Sequence, residues 1–355
     1  MTKYNNLWLF TLVFSFALQG SVLEVDESAS IKNTTTTIVG INHIGLSVKN
    51  LDQVLKFYQR ATGFEIVKQE VITFNDTADM LYATNNVELR KATLKAPNML
   101  FELTQFSGNE DIPLERKPVI GPGMTHTCFQ SPITDPAFTK FVHAGAQVLT
   151  KSNAPVDIGG YGVTYAYAYD PEGNMFEIEQ LDKTILTRSG YDASWQDAGK
   201  KMWMSQVALA THDIERLMQF YQKVLGFKPY RMGTYSNSSK LDDIVNIDGV
   251  SLKGGWFKLG KRSKVMELWQ FVNPQTPSTT YKRKPTDLGY TYSLEVTDIQ
   301  AEYKRLTNLG VYFFSKPLPL GEFWHAYARD IDGNVFSLRQ PLNPESSYAL
   351  ASIED

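Results

Sequence analysis

Two periods of apolar spacing alternate along this chain from about residue 38 onward. Leu51, Val54, Leu55 and Tyr58 recur at the spacing of one helical face, and so do Ile214, Leu217, Met218 and Tyr221. Ile299, Tyr303 and Leu306 repeat that pattern near the C-terminus. Phe138, Phe141 and Val142 form a fourth such face, with Asp135 as its expected N-cap, Pro136 at the first helical position and Gly145 as its stop. Between the helices lie β-rich runs such as Val163-Thr-Tyr-Ala-Tyr-Ala-Tyr169 and Gly173-Asn-Met-Phe-Glu-Ile-Glu179. The pattern predicts four units beginning near His43, His126, Gln206 and Tyr292, each a short strand, a helix and several strands closed by a DxxG turn or its counterpart. Each unit is βαβββ, and the fold class is α+β.

An internal repeat orders these units. The stretch His43 to Phe64 aligns without a gap on Gln206 to Phe227, sharing Phe-Tyr-Gln and Gly-Phe, and Asp170-Pro-Glu-Gly-Asn-Met-Phe-Glu177 aligns on Asp330-Ile-Asp-Gly-Asn-Val-Phe-Ser337. The chain therefore reads as a tandem duplication. Residues 38–182 form the first domain, 183–201 a linker, 202–345 the second domain and 346–355 a tail.

The N-terminus departs from this pattern. Lys3 is the sole charge before Glu24, and Leu7 to Leu18 is almost wholly apolar, so residues 1–23 read as a secretory signal peptide. The apolar run is short against the roughly 20 residues of a membrane span, so no stable span is expected after cleavage. Residues 24–37, rich in Ser, Thr, Asp and Asn, read as a flexible lead-in to an exported protein. Sequons begin at Asn33, Asn75 and Asn237.

Composition narrows the chemistry. With 355 residues, 43% hydrophobic and 21% charged, the chain can bury a sizeable core and is neither disordered nor fibrous. A net charge of -3 without a Lys/Arg run gives no footprint for nucleic acid. The one cysteine excludes an internal disulfide and any Cys-rich metal site, so a metal here must be held by His and carboxylates.

Asn42-His43-Ile-Gly-Leu-Ser-Val, Leu100-Phe-Glu102-Leu-Thr, Thr125-His126-Thr and Asp170-Pro-Glu-Gly-Asn-Met-Phe-Glu177 together resemble the vicinal oxygen chelate superfamily, which includes glyoxalase I, bleomycin-binding proteins and extradiol dioxygenases. The resemblance covers about residues 38 to 345. It implies two glyoxalase-like domains, each an open cup of curved mixed sheets made by pairing two βαβββ units, with a metal inside the cup. On that arrangement His43, Glu102, His126 and Glu177 converge in the first domain, a two-imidazole, two-carboxylate set suited to Zn, Ni, Mn, Co or Fe(II). Glu102 and Glu177 lie inside apolar runs, where an unpaired carboxylate is costly and a cation is the economical partner. At the matching positions the second half carries Gln206, Glu267, Tyr292 and Ser337, so its cup is expected to lack metal. Four units in one chain can complete two cups without a partner, so a monomer is sufficient, and the sequence does not decide between monomer and dimer.

The resemblance implies a metal-dependent enzyme acting on a small substrate with vicinal oxygens. A lyase or isomerase would move a proton beside a carbonyl, with Glu102 or Glu177 as base. The alternative is an Fe(II) extradiol dioxygenase using His43, His126 and Glu177, because Tyr167-Ala-Tyr-Asp-Pro-Glu-Gly resembles the tail of that signature and makes Tyr167 a catalytic candidate. A binding protein without turnover is the third class, and Trp256, Trp269 and Trp324 with Tyr292 are expected to form an aromatic cup in the second half. Cys128, two residues from His126, is expected to face the metal cup, as a buried apolar group or as a thiol near the ion. His143, His212 and His325 are assigned structural roles.

Overall fold

The computed structural model describes residues 22–24, 36–189, 201–260 and 264–354. The expected signal segment and most of the lead-in lie outside these, apart from strand β1 (Val22–Glu24) and residues 36 and 37. Unit one contains β2 (Ile38–Ser47), α1 (Leu51–Thr62), β3 (Glu65–Thr73), α2 (Asp76–Tyr82), β4 (Glu88–Lys95) and β5 (Leu100–Phe106). Unit two contains β6 (Gly123–His126), β7 (Cys128–Pro132), α3 (Ala137–Ala144), β8 (Gln147–Val148), β9 (Val156–Asp157), β10 (Val163–Tyr169) and β11 (Met175–Leu181), followed by α4 (Lys183–Arg188). Unit three contains β12 (Trp203–Met204), β13 (Gln206–Ala210), α5 (Ile214–Leu225), β14 (Arg231–Tyr235), α6 (Ser239–Val245), β15 (Ser251–Lys258) and β16 (Val265–Asn273). Unit four contains β17 (Gly289–Val296), α7 (Ile299–Asn308), β18 (Tyr312–Phe313), β19 (Leu318–Leu320), β20 (Phe323–Arg329) and β21 (Val335–Pro341), and α8 (Leu350–Glu354) follows.

Local chemistry explains most of these bounds. The side chains of Asn50, Asp213 and Asp298 accept the backbone N–H three residues on, capping α1, α5 and α7. Gly63 and Gly226 then end α1 and α5 in the left-handed conformation. Helix α3 differs from its expected form. Pro136 occupies its cap position without a side-chain hydrogen bond, Asp135 instead pairs with Lys140, and Val142 is exposed. The short helices α2 and α6, capped by Asn75 and Ser238, are additions to the one-helix pattern. Each carries only about two turns, too little apolar periodicity to stand out in sequence.

The DxxG turns hold strand ends against helices. Asp170 Oδ1 accepts the N–H groups of Glu172 and Asn174, while Oδ2 accepts the Tyr58 hydroxyl at 3.2 Å. Asp330 does the same with Asp332, Asn334 and the Tyr221 hydroxyl.

The pairing of units departs from expectation. One sheet runs β18-β20-β21-β17-β2-β5-β4-β3, so units one and four share it through the antiparallel pair β17 and β2. A second runs β1-β14-β15-β16-β13-β6 and a third β12-β7-β11-β10-β8. Strands β6 and β7 are separated only by Thr127, which joins unit two to unit three through β6 and β13. The cups are therefore one with four and two with three, rather than one with two and three with four. Units one and two meet elsewhere: α1 packs on α3, and Phe57, Tyr58, Phe129, Phe141 and Phe176 fill the space between their sheets, with Phe141 and Phe176 centroids 4.5 Å apart. Among the described residues no helix is long and apolar enough to cross a membrane.

Candidate metal centre

In the cup of units two and three, β6 delivers His126, β11 Glu177, β13 Gln206 and β16 Glu267, all buried. The His126 Nε2 atom lies 3.7 Å from Glu177 Oε2 and 4.0 Å from Glu267 Oε2. Its other nitrogen, Nδ1, is 2.9 Å from Thr125 Oγ1, which itself reaches the Ala208 carbonyl at 3.5 Å. If the threonine hydroxyl donates to that carbonyl, it accepts from Nδ1–H and leaves Nε2 as a bare lone pair. Nε2 is buried and makes no hydrogen bond. Gln206 Nε2 donates to both Glu177 and Glu267, and the Trp256 and Trp269 indoles donate to the two oxygens of Glu267 at 2.8 and 3.1 Å.

The electrostatics of this cup call for a cation. Glu177, Glu179 and Glu267 are all buried around one cavity, whose lining contains no Lys or Arg. Burial first, and then the Glu177 carboxylate, push Glu267 up to about 7 against the pull of His126 and the two indoles. Burial and Glu177 also raise Glu179 well above the usual carboxylate range, although Gln130 donates to it. Donor atoms of His126, Glu177 and Glu267 lie within 4.8 Å of one another, as do those of Cys128, Glu177 and Glu179. An imidazole lone pair aimed at two carboxylates, with a glutamine alongside, fits a borderline or hard divalent ion. Cys128 is fully buried, and burial, then Glu179 and Glu177, raise its thiol well above the ordinary value, so it stays protonated in this setting.

Tyr167 lines the same cavity with its ring 5.0 Å from that of His126, and burial and Glu177 keep its phenol protonated. The remaining walls are apolar: Val119, Ile158, Leu241, Ile244, Leu252 and Phe271.

The other two expected ligands lie in the other cup. Glu102 Oε1 accepts from Arg339 Nη1 at 2.8 Å, and its Oε2 lies 3.5 Å from both Lys91 Nζ and His43 Nε2. Arg339 Nη1 also lies 2.8 Å from His43 Nδ1, which must accept because a guanidinium only donates. His43 is neutral, pushed down to about 3 by burial despite the pull of Glu102. A guanidinium thus stands beside His43 and Glu102 where the expected set had an ion. His43, Glu102, His126 and Glu177 do not converge, and the dioxygenase triad of His43, His126 and Glu177 is not assembled. The aromatic cup is divided too: Trp256 and Trp269 stand 5.0 Å apart in the metal cup, whereas Trp324 and Tyr292 belong to the other sheet. Tyr292 is a core residue whose hydroxyl meets that of Tyr221 at 2.7 Å.

Strand register corrects the expected match of Tyr292 with His126. His126 pairs with Ala208, two residues beyond Gln206, and Thr291 pairs with Gly45, two residues beyond His43. Thr291, not Tyr292, is therefore the counterpart of His126. Gln206 and Glu267 were visible as matches of His43 and Glu102, and the phrase Met266-Glu-Leu-Trp was their signal, but assigning them to a silent half depended on the wrong pairing of units. Lys91 and Arg339 carry no such signal, since Lys91 is one of three basic residues in β4 and Arg339 a single basic residue in β21.

Comparison with known proteins agrees with this architecture. Models of the Glyoxalase/Bleomycin resistance protein/Dioxygenase superfamily match residues 40–178 and again residues 205–327. Glyoxalase I from Zea mays superposes with a TM-score of 0.56 at 20% identity, covering 85% of this chain and 92% of that one. A candidate dioxygenase from Bacillus subtilis superposes with a TM-score of 0.54 at 15% identity, covering 90% and 91%. No curated protein sequence shows significant similarity. With two matched regions, four βαβββ units and two sheet-built cups, this chain belongs to the Glyoxalase/Bleomycin resistance protein/Dioxygenase superfamily as a tandem two-domain member.

Proposed function

We propose that the chain is a divalent-metal-dependent enzyme with one metal centre, at His126, Glu177, Gln206 and Glu267, that moves a proton beside a carbonyl of a small substrate with vicinal oxygens. The observation that carries this reading is the buried His126 Nε2, without a hydrogen bond, facing two buried carboxylates in a cavity whose lining has no basic Lys or Arg. When bound, a Zn, Ni, Mn or Co ion would supply Lewis acidity to the substrate oxygens. His126, Glu177 and Glu267 would hold it, and Gln206 carries a carbonyl oxygen as well as the amide that now bridges the two carboxylates.

The protein's own groups suit proton transfer. Glu177 and Glu267 share the Gln206 bridge, and either carboxylate would serve as the base beside the ion. Tyr167 offers a protonated hydroxyl beside His126. The apolar walls favour an uncharged hydrocarbon or aromatic substituent and offer no Lys or Arg to a substrate carboxylate. We also propose that the chain is exported, on the strength of residues 1–23.

The test combines metal analysis with deuterium exchange. Wild-type protein is expected to carry one divalent ion and to exchange the α-hydrogen of aromatic α-hydroxy ketones or α-ketoaldehyde adducts in D2O, with Glu267→Gln losing both. Absence of stoichiometric metal in the wild type overturns the proposal. Fe(II) with oxygen uptake on catechols would replace proton transfer by oxygenation.

A further inference from the structure

The cup of units one and four holds a polar cavity of about 150 Å³, far above the roughly 10–15 Å³ that a single water needs. Lys91, Glu102, His325 and Arg339 line it and are all at least nine-tenths buried. Two cations face one carboxylate here, because His43 is neutral and His325 Nε2 is occupied by the Leu320 carbonyl at 3.2 Å. The other charged lining residues are more exposed: Lys68 and Glu70 pair at 3.0 Å, and Glu322 is exposed and accepts from Ser346. The buried lining therefore carries an excess positive charge, offset in part by Glu295, a buried carboxylate beyond the lining that attracts Arg339 and accepts from Asn42, and an unmatched buried cation is expensive.

The unused donors have a shape. Among the described residues the hydrogen-bond contacts of Arg339 all run from Nη1, whose two hydrogens are shared among Asn42, His43 and Glu102. Its Nε is buried without a partner, and no hydrogen bond of Nη2 exists among the described residues. Nε–H and Nη2–H form one edge of the guanidinium, whose spacing matches the two oxygens of a carboxylate. Among the described residues Lys91 Nζ forms one ion pair, the 3.5 Å contact to Glu102. The repeat sharpens the contrast. His325 pairs with Arg339 as Tyr165 pairs with Glu179, so Arg339 occupies the position that carries a carboxylate in the metal cup.

We infer that the second cup is a binding site for a small carboxylate, held by the free Nε–Nη2 edge of Arg339 and by Lys91. It is independent of the metal centre, which lies in the other cup. The chain thus uses one scaffold twice, with an acid-rich cup for a cation and a base-rich cup for an anion.

Calorimetric titration of the full chain with sodium acetate, at fixed ionic strength and in parallel with inorganic phosphate, tests this. Wild type is expected to bind one acetate saturably and more tightly than phosphate. Arg339→Lys keeps the charge but removes the fork, and Lys91→Gln removes one cation; each is expected to weaken acetate about tenfold or more. Glu102→Gln removes the competing carboxylate and is expected to tighten acetate about tenfold, a gain that a merely structural role for these residues would not produce. His126→Ala leaves acetate binding unchanged. Failure of wild type to bind saturably, unaltered affinity in Arg339→Lys, or tighter binding of phosphate overturns the inference. Circular dichroism confirms folding of each variant, and if Glu102→Gln does not fold, Arg339→Lys and Lys91→Gln decide.

Discussion

At His126 one ring nitrogen meets Thr125 and the other makes no hydrogen bond, and that asymmetry separates this histidine from His43, where Arg339 lies against one nitrogen and Glu102 at 3.5 Å from the other. The two histidines should therefore part company on mutation. His126→Ala is expected to lose the bound metal, whereas His43→Ala keeps it at full stoichiometry; elemental analysis of both purified variants reads this directly. Glu267 adds a pH signature. Its folded value of about 7 lies above the ordinary carboxylate value, so the fold favours the protonated form. Its contribution to stability is full below about pH 4.5 and is lost as pH rises through about 7, and Glu179 acts in the same direction. His43 and His325, held neutral by burial, act in the opposite direction, so Glu267 is read by difference. In chelator-treated protein, scanning calorimetry is expected to show Glu267→Gln raising the melting temperature relative to wild type more at about pH 8 than at about pH 5, and divalent metal added to the wild type should remove that difference.

At the scale of elements, hydrogen bonds at helix starts decide which acidic residues matter. Asp213 accepts from Arg216 N at 3.0 Å and caps α5, the helix whose Tyr221 hydroxyl anchors the Asp330 turn. Asp213→Ala is expected to cost about 1 kcal/mol in urea unfolding. Asp135 looks equivalent in sequence but makes only a partly exposed ion pair with Lys140, so Asp135→Ala should cost about 0–1 kcal/mol. Deeper in the same layer, Phe129 contacts the rings of Tyr58, Phe101, Phe141 and Phe176 where α1 and α3 meet. Phe129→Ala should destabilise by about 3–5 kcal/mol in the same measurement, because a close-packed cluster collapses poorly around a deleted ring.

Across the whole molecule each cup draws one unit from each half of the chain. The candidate metal centre takes His126 and Glu177 from the first half and Gln206 and Glu267 from the second, through the pairing of β6 with β13. Residues 1–190 and 191–355, expressed separately, are each expected to bind no stoichiometric metal, while co-expression restores it if the halves assemble. A self-contained first half that binds metal would contradict the exchanged arrangement.

Sequence alone determined the four units, the four main helices, the duplication and the DxxG turns. These are local: helical spacing, caps and an aspartate bonding to backbone two and four residues on need only a short stretch of chain. It also displayed the donors of the candidate metal centre, His126 and Glu177 as expected ligands and Gln206 and Glu267 as repeat counterparts of His43 and Glu102, the latter two in a half expected to lack metal. Tertiary structure decided which units share a sheet. Four units of one pattern offer similar first-strand edges, so the choice of β17 for β2 and of β13 for β6 rests on side-chain packing between segments far apart in sequence. That choice separated His43 and Glu102 from His126 and Glu177, brought Gln206 and Glu267 to the latter, and gave Arg339 its place beside Glu102.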